Sequence, residues 1–266
     1  MMTTWQGRSC SLGNILRKLY QIYTWLVFVP ILGVSTVFFG TSTVILLFFL
    51  KPRIVSILCG KYWARVNSFF APMRVEVVGR RNVDPRQSYV IVSNHQSQFD
   101  IFVLYGWLDI DFKWVMKQEL RKVPALGIAC ERLGHIYVDR ANREAALASI
   151  NAAKQRIVDG TSVLFFPEGT RSRESRLRPF KKGAFRMALD LQLPILPITI
   201  QGTSEILPSD TTNLYPGRAR MIIHPPIAIE GYDSDNIDDL IARTRQVIEA
   251  PNVSGPRNET EGSHAA

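Results

Sequence analysis

Acidic residues are missing from the first 75 positions of this 266-residue chain. Arg8, Arg17, Lys18, Lys51, Arg53, Lys61, Arg65 and Arg74 stand there unopposed and account for +8 of the net +9. The rest of the chain is close to neutral. Charge of either sign is absent again from 19–50, a run of 32 positions. Basic charge beside an apolar run points to anionic lipid headgroups and away from nucleic acid. Cysteine is scarce: Cys10, Cys59 and Cys130 are scattered and odd in number. That excludes a disulfide framework and suits a reducing, cytoplasm-facing compartment. Several motifs are also absent. Without a G-x-S-x-G elbow there is no sign of a serine-nucleophile hydrolase. Without G-x-x-x-x-G-K-[ST] there is no phosphate loop of that type. His95, Asp100, His135 and Asp139 are metal-ligand types, but H-x-x-x-H and H-E-x-x-H spacings do not occur, so no metal site is expected. There are no internal repeats.

The uncharged run exceeds the roughly 20 apolar residues that cross a bilayer. It is too long for a signal-peptide core and lacks a small-residue cleavage site. Pro30, Gly33 and Gly40 interrupt it, and both flanks are basic. Positive charge on both sides favours both ends on one face of the membrane. The expectation is a helical hairpin dipping into one leaflet, with a single tilted span as the alternative. Residues 53–72, with Trp63, Phe69 and Phe70 among basic residues, read as an interfacial helix.

From residue 74 apolar runs alternate with helical patterns. Strands are expected at 74–78, 88–93, 112–116, 135–138, 162–166, 195–200 and 219–223, with helices at 142–159 and 180–191. In the first helix Leu147, Ile150, Ala153 and Ile157 share a face and Gly160 ends it. Pro194 and Pro197 bracket a strand start and stiffen it. This alternation predicts an α/β fold, a mostly parallel sheet flanked by helices, preceded by the N-terminal apolar anchor. The expected division is 1–52 anchor, 53–248 catalytic domain and 249–266 disordered tail, the tail being polar and rich in Pro and Gly.

Two stretches carry the chemistry. Asn94-His95-Gln96-Ser97-Gln98-Phe99-Asp100 follows the buried run at 88–93, so His95 lies at a strand's carboxyl end, where open α/β sheets bind ligands. With His95 in the turn and Asp100 in the first helical turn, the carboxylate can hold one ring nitrogen and leave the other as a general base. Ser97-x-x-Asp100 also resembles a capping box, so Asp100 acting only as a cap is an alternative. Phe166-Pro167-Glu168-Gly169-Thr170-Arg171 ends another buried strand. Pro167 stops pairing, Gly169 lets backbone approach a ligand, and Arg171 offers a planar fork suited to phosphate. Arg173, Arg176, Arg178, Lys181 and Lys182 follow; a solvated basic loop is the plainer reading of them. Lys117 and Asp139-Arg140 also follow strands and face the same crevice or are ordinary strand-end charges.

Taken in order, Asn94-His95-x4-Asp100, Lys117 to Arg140, Phe166 to Arg171 and Pro194-Ile195-Leu196-Pro197 resemble the motifs of the glycerophospholipid acyltransferase family. The branch that acts on 1-acyl-sn-glycerol 3-phosphate is most similar, over roughly 15–245. Leu193 departs from the smaller apolar residue common there. The resemblance implies transfer of an acyl chain from acyl-CoA or acyl-carrier protein to the 2-hydroxyl of lysophosphatidate, giving phosphatidate. It implies His95 and Asp100 as the catalytic pair, and Glu168, Gly169, Thr170 and Arg171 on the acceptor's phosphoglycerol. Backbone N–H groups or Lys117 are the candidate donors to the oxyanion. No cofactor is implied beyond the acyl donor. The implied setting is the membrane, at the cytoplasmic face of a bacterial inner membrane. A lipid hydrolase using the same pair, another lysolipid acceptor, and a non-enzymatic lipid-binding adaptor are the alternatives.

Overall fold

The computed structural model describes residues 17–139, 141–157, 159–171 and 177–250. The expectations for Cys10, Arg140, the side chain of Leu147, Arg173, Arg176 and the tail from residue 251 lie outside the described residues. Seven strands form one sheet: β1 (Met73–Val78), β2 (Val90–Ser93), β3 (Phe112–Lys117), β4 (Ile136–Val138), β5 (Ser162–Phe165), β6 (Ile195–Gln201) and β7 (Gly217–Ile223). Their order is β1-β7-β6-β2-β5-β3-β4. Every pair is parallel except β6 with β7. All seven expected strands are present. β2 is buried along its whole length, as its unbroken Val-Ile-Val run requires of a strand covered on both faces.

The helices are α1 (Arg17–Leu46), then α2 (Pro52–Phe70), α3 (Asp100–Trp107), α4 (Leu126–Arg132), α5 (Arg143–Ala153), α6 (Gly183–Leu191), α7 (Thr203–Ile206) and α8 (Ile237–Glu249). Residues of α2 and α3 join one face of the sheet in a core that includes Tyr89, Ile91, Phe102, Leu104, Leu164 and Leu196. Residues of α5, α6 and α8 cover the other, around Val90, Val92, Phe165, Phe185 and Leu240. The helix expected at 142–159 stops earlier. Asn142 caps it by accepting from the Ala145 N–H, and a 3-10 turn follows at Lys154–Arg156. The one expected from Phe180 begins at Gly183, and Phe180, ahead of its first turn, stacks on Phe185.

The bend expected inside 19–50 does not form: α1 is one continuous helix. A π-helical turn at Thr24–Phe28 sits just before Pro30 and accommodates its ring and missing N–H. Gly40 serves close packing, since a Cβ there would lie 3.0 Å from Ala125 atoms just before α4. The reversal comes at 47–50 and the partner arm is α2. α1 is bound along its length: Gln21 donates to the Leu214 carbonyl (3.1 Å), Tyr23 to the Phe70 carbonyl (2.9 Å), and Trp63 Nε1 to Thr36 Oγ1 (3.1 Å). Ser35 and Asn67 pair in the buried seam between the helices. The opposite side of α1 is bare and apolar, with Leu26 72%, Val34 71% and Phe38 62% exposed. On α2, Trp63 turns inward against Phe102 rather than outward as an interfacial residue, while Phe69 is exposed.

Candidate active site

Adjacent parallel strands bring their carboxyl ends to one edge, and β6, β2, β5 and β3 are consecutive in the sheet. That edge collects Thr203 after β6, His95 and Asp100 after β2, Glu168 after β5, and Lys117 at the end of β3. The helix after β2 packs on one face and the helix after β5 on the other. The two chains diverge there and leave a crevice, the usual place for a ligand in such sheets.

The His95 loop is anchored before it reaches the histidine. Asn94 is buried, and its side chain continues the β2–β6 ladder. Nδ2 donates to the Ile200 carbonyl (2.8 Å) and Oδ1 accepts from the Ile200 N–H (2.7 Å). His95 Nδ1 lies 2.8 Å from Asp100 Oδ2. The carboxylate accepts, so Nδ1 carries the proton and Nε2 of the neutral ring is the free base. Oδ2 also takes the backbone N–H groups of Gln96 (2.7 Å) and Ser97 (3.0 Å), while Oδ1 takes the hydroxyl of Thr203. Asp100 is fully buried. The expected capping role is met in part, since Oδ2 takes the Ser97 N–H and Ser97 Oγ accepts the Phe99 N–H (3.3 Å) while donating to the Leu207 carbonyl (2.8 Å), but capping does not account for the bonds to His95 and Thr203. The imidazole is clamped flat on Phe166, with centroids 3.9 Å apart and planes 11° from parallel.

Glu168 ties the two motifs together. One oxygen accepts the His95 N–H (2.8 Å) and the other the Arg178 N–H (3.0 Å). Burial pushes its carboxyl up from the usual range, and the two backbone donors oppose that. Both oxygens are therefore engaged within the protein. Gly169 is left-handed (φ 76°), and a Cβ there would lie 2.7 Å from Lys181 Nζ. Thr170 Oγ1 accepts from Arg178 (2.6 Å), and Arg171 is half-buried with no ion pair among the described residues. Arg178 and Lys181 thus flank the Glu168–Thr170 turn, and Arg171 follows it directly. Lys117 is exposed at the same edge. Beside this turn, on the α5–α6 face, runs a groove of about 540 Å³ lined by Val115, Val138, Ile150, Phe165, Phe166 and Phe180 among others.

His135 and Asp139 do not join His95. His135 is buried, with its Nδ1 accepting the Trp114 N–H (3.1 Å) and its Nε2 paired with the Tyr105 hydroxyl (2.8 Å). Among the described residues no three His, Cys, Asp or Glu side chains are grouped as a metal set.

Residues 74–201 match the family model described as Acyltransferase. This stretch is an acyltransferase-family domain. The chain is 33% identical over 189 residues to a 1-acyl-sn-glycerol-3-phosphate acyltransferase of Chlamydomonas reinhardtii, an alignment covering 70% of this chain and 55% of that protein. It is 36% identical over 169 residues to the chloroplastic 1-acyl-sn-glycerol-3-phosphate acyltransferase BAT2 of Brassica napus, covering 63% and 48%. With the human 1-acyl-sn-glycerol-3-phosphate acyltransferase alpha it shares 33% over 174 residues, covering 65% and 62%. The chain thus spans about half to three-fifths of the length of these curated relatives. The crystal structure of the 1-acyl-sn-glycerophosphate acyltransferase of Thermotoga maritima superposes with a TM-score of 0.73 at 26% identity. That match covers 90% of this chain and all of the other, so the acyltransferase domain and the α1–α2 pair fall within one shared fold.

Sequence reasoning named the acyltransferase motifs but missed Thr203 and the stacking of Phe166. Gly202-Thr203 after a buried strand is the only local signal for Thr203. Gly202 is left-handed (φ 82°), and a Cβ there would lie 2.2 Å from the Arg218 carbonyl oxygen, so the turn that aims Thr203 at Asp100 demands glycine.

Proposed function

We propose that the protein transfers an acyl chain from a thioester donor, acyl-CoA or acyl-carrier protein, to the 2-hydroxyl of 1-acyl-sn-glycerol 3-phosphate, giving phosphatidate. The observation that carries this reading is the His95–Asp100 pair, held by a buried carboxylate with every bond directed, in an acyltransferase-family domain. A 2-hydroxyl is a weak nucleophile at neutral pH. Nε2 of His95 takes its proton as the oxygen attacks the thioester carbonyl, and Asp100 stabilises the imidazolium. The tetrahedral intermediate collapses, the C–S bond breaks, and the imidazolium returns the proton to the thiolate. The acceptor itself is the nucleophile, so no serine or cysteine is acylated. The reading asks for no metal or cofactor beyond the donor. Arg171, with Arg178 and Lys181 on the same turn, holds the acceptor's phosphate, and Lys117 lies at the same edge as a fourth cation. The groove beside Phe166 takes the donor's acyl chain.

The same reading places the protein on a membrane. α1 is the one helix among the described residues long and apolar enough to cross a bilayer. It is nevertheless held to α2, Ala125 and Leu214 along its length. Crossing would draw those contacts into hydrocarbon. Its bare face therefore lies in the plane of one leaflet, and its basic flanks meet anionic headgroups. The bacterial cytoplasmic leaflet is the setting this reading assigns. The test is to incubate the purified chain with lysophosphatidate and either donor and to analyse products. Phosphatidate with released thiol supports the reading. Free fatty acid alone would assign the pair to a hydrolase.

A further inference from the structure

The carboxylate of Asp100 is bonded on both oxygens, and only one side of that arrangement comes from its own loop. Oδ2 serves His95 and the N–H groups of Gln96 and Ser97. Oδ1 is met by Thr203, 103 residues away, whose side chain is completely buried. Among the described residues, Thr203 is one of four places where the end of β6 and the β6–β7 connection grip the His95 loop. The others are the Ile200 backbone on Asn94, the Leu207 carbonyl on Ser97 Oγ, and Ser209 Oγ on the Gln96 carbonyl (2.9 Å). Of the four, only Thr203 reaches the charged group that faces the histidine.

We infer that Thr203 is a positioning residue: its hydroxyl fixes the rotation of the Asp100 carboxylate so that Oδ2 stays on His95 Nδ1. Three donors converge on Oδ2 and one on Oδ1. With Oδ1 left empty in a buried site, the carboxylate can turn part-way about Cβ–Cγ and share its three remaining donors between both oxygens, and the imidazole loses its fixed partner. The inference rests on the acyl-transfer reading for its kinetic consequence, and on geometry alone for its effect on His95.

Two variants test it. Thr203→Val keeps the shape and removes the donor; Thr203→Ser keeps the donor. In Thr203→Val, kcat should fall roughly ten- to a hundredfold, as expected for loss of a bond to a charged group, with KM for both substrates changed less than about twofold. Thr203→Ser should stay within about threefold of wild type, since the donor is retained. Histidine NMR gives a readout independent of turnover: the deshielded proton of the His95 Nδ1–H bond to Asp100 should move upfield or broaden in Thr203→Val and not in Thr203→Ser. Glu168, the other carboxylate bonded to this loop, is untouched in both variants. Unchanged kcat and an unchanged His95 Nδ1–H signal in Thr203→Val would overturn the inference. So would a loss of activity with no shift of His95, which marks a purely structural hydroxyl. If the wild-type chain transfers no acyl group, the acyl-transfer reading fails while the His95 Nδ1–H signal still decides the role of Thr203.

Discussion

Acidification should weaken the fold through His135. This imidazole is 4% exposed, and its Nδ1 accepts the Trp114 N–H, so protonating it would put a charge in the core and break a buried bond. Burial, with the Lys113 charge adding to it, lowers its pKa from 6.5 to about 3. The sign follows from linkage. Between those values the unfolded chain binds a proton that the folded chain refuses, so stability is complete above the unfolded pKa and is lost as pH falls toward the folded one. Going from about pH 7.5 to about pH 5, one such group removes about 2 kcal/mol, at about 1.4 kcal/mol per pH unit once below the unfolded pKa. The assay is urea unfolding in neutral detergent at the two pH values, for wild type and His135→Gln. His224, lowered by burial, and Glu168, raised by it, titrate in both proteins and cancel in the difference. Wild type should lose about 2 kcal/mol more than the variant. Equal losses in the two proteins would refute the reasoning, whatever the variant's absolute stability.

Glu168→Gln should destabilise the fold by about 1–3 kcal/mol and lower kcat, because an amide offers one acceptor where the His95 and Arg178 N–H groups need two; thermal unfolding and turnover measured together check this. Arg171→Lys should cost roughly ten- to a hundredfold in kcat/KM with lysophosphatidate, since an ammonium cannot make the paired bonds of a guanidinium, and little with monoacylglycerol, which lacks the phosphate. An equal loss on both acceptors would make Arg171 structural. Replacing Leu26, Val34 and Phe38 together by serine should leave stability unchanged and reduce partition into anionic vesicles at least a hundredfold, at about 1.5–3 kcal/mol per side chain withdrawn from lipid. Unchanged sedimentation with vesicles would remove α1 as the membrane seat.

The strands were legible because β2, β5 and β6 are buried on both faces, and burial demands the runs of Val, Ile, Leu and Phe that mark them. The His95–Asp100 pair was legible because it is local: one turn and the start of one helix bring it together. The bend in α1 was misjudged because Pro30 and Gly40 read as breakers. Their actual roles, a π-turn neighbour and a contact with Ala125, depend on what packs beside them. Glu168 on the His95 N–H was not legible, because it follows from β2 and β5 being neighbours although two strands separate them in sequence. Thr203 was hidden more deeply. Its bond to Asp100 spans most of the domain and is signalled locally by no more than a glycine and a small polar residue.

The central claim is that His95 acts as general base toward an acceptor alcohol. The most direct test is the turnover number of His95→Ala with lysophosphatidate in vesicles. Asp100 keeps its bonds from Gln96, Ser97 and Thr203 in that variant, so the fold and membrane binding should persist. The account predicts a fall in kcat of about 10²–10⁴. A folded, membrane-bound His95→Ala protein that keeps more than roughly a tenth of wild-type kcat would contradict it.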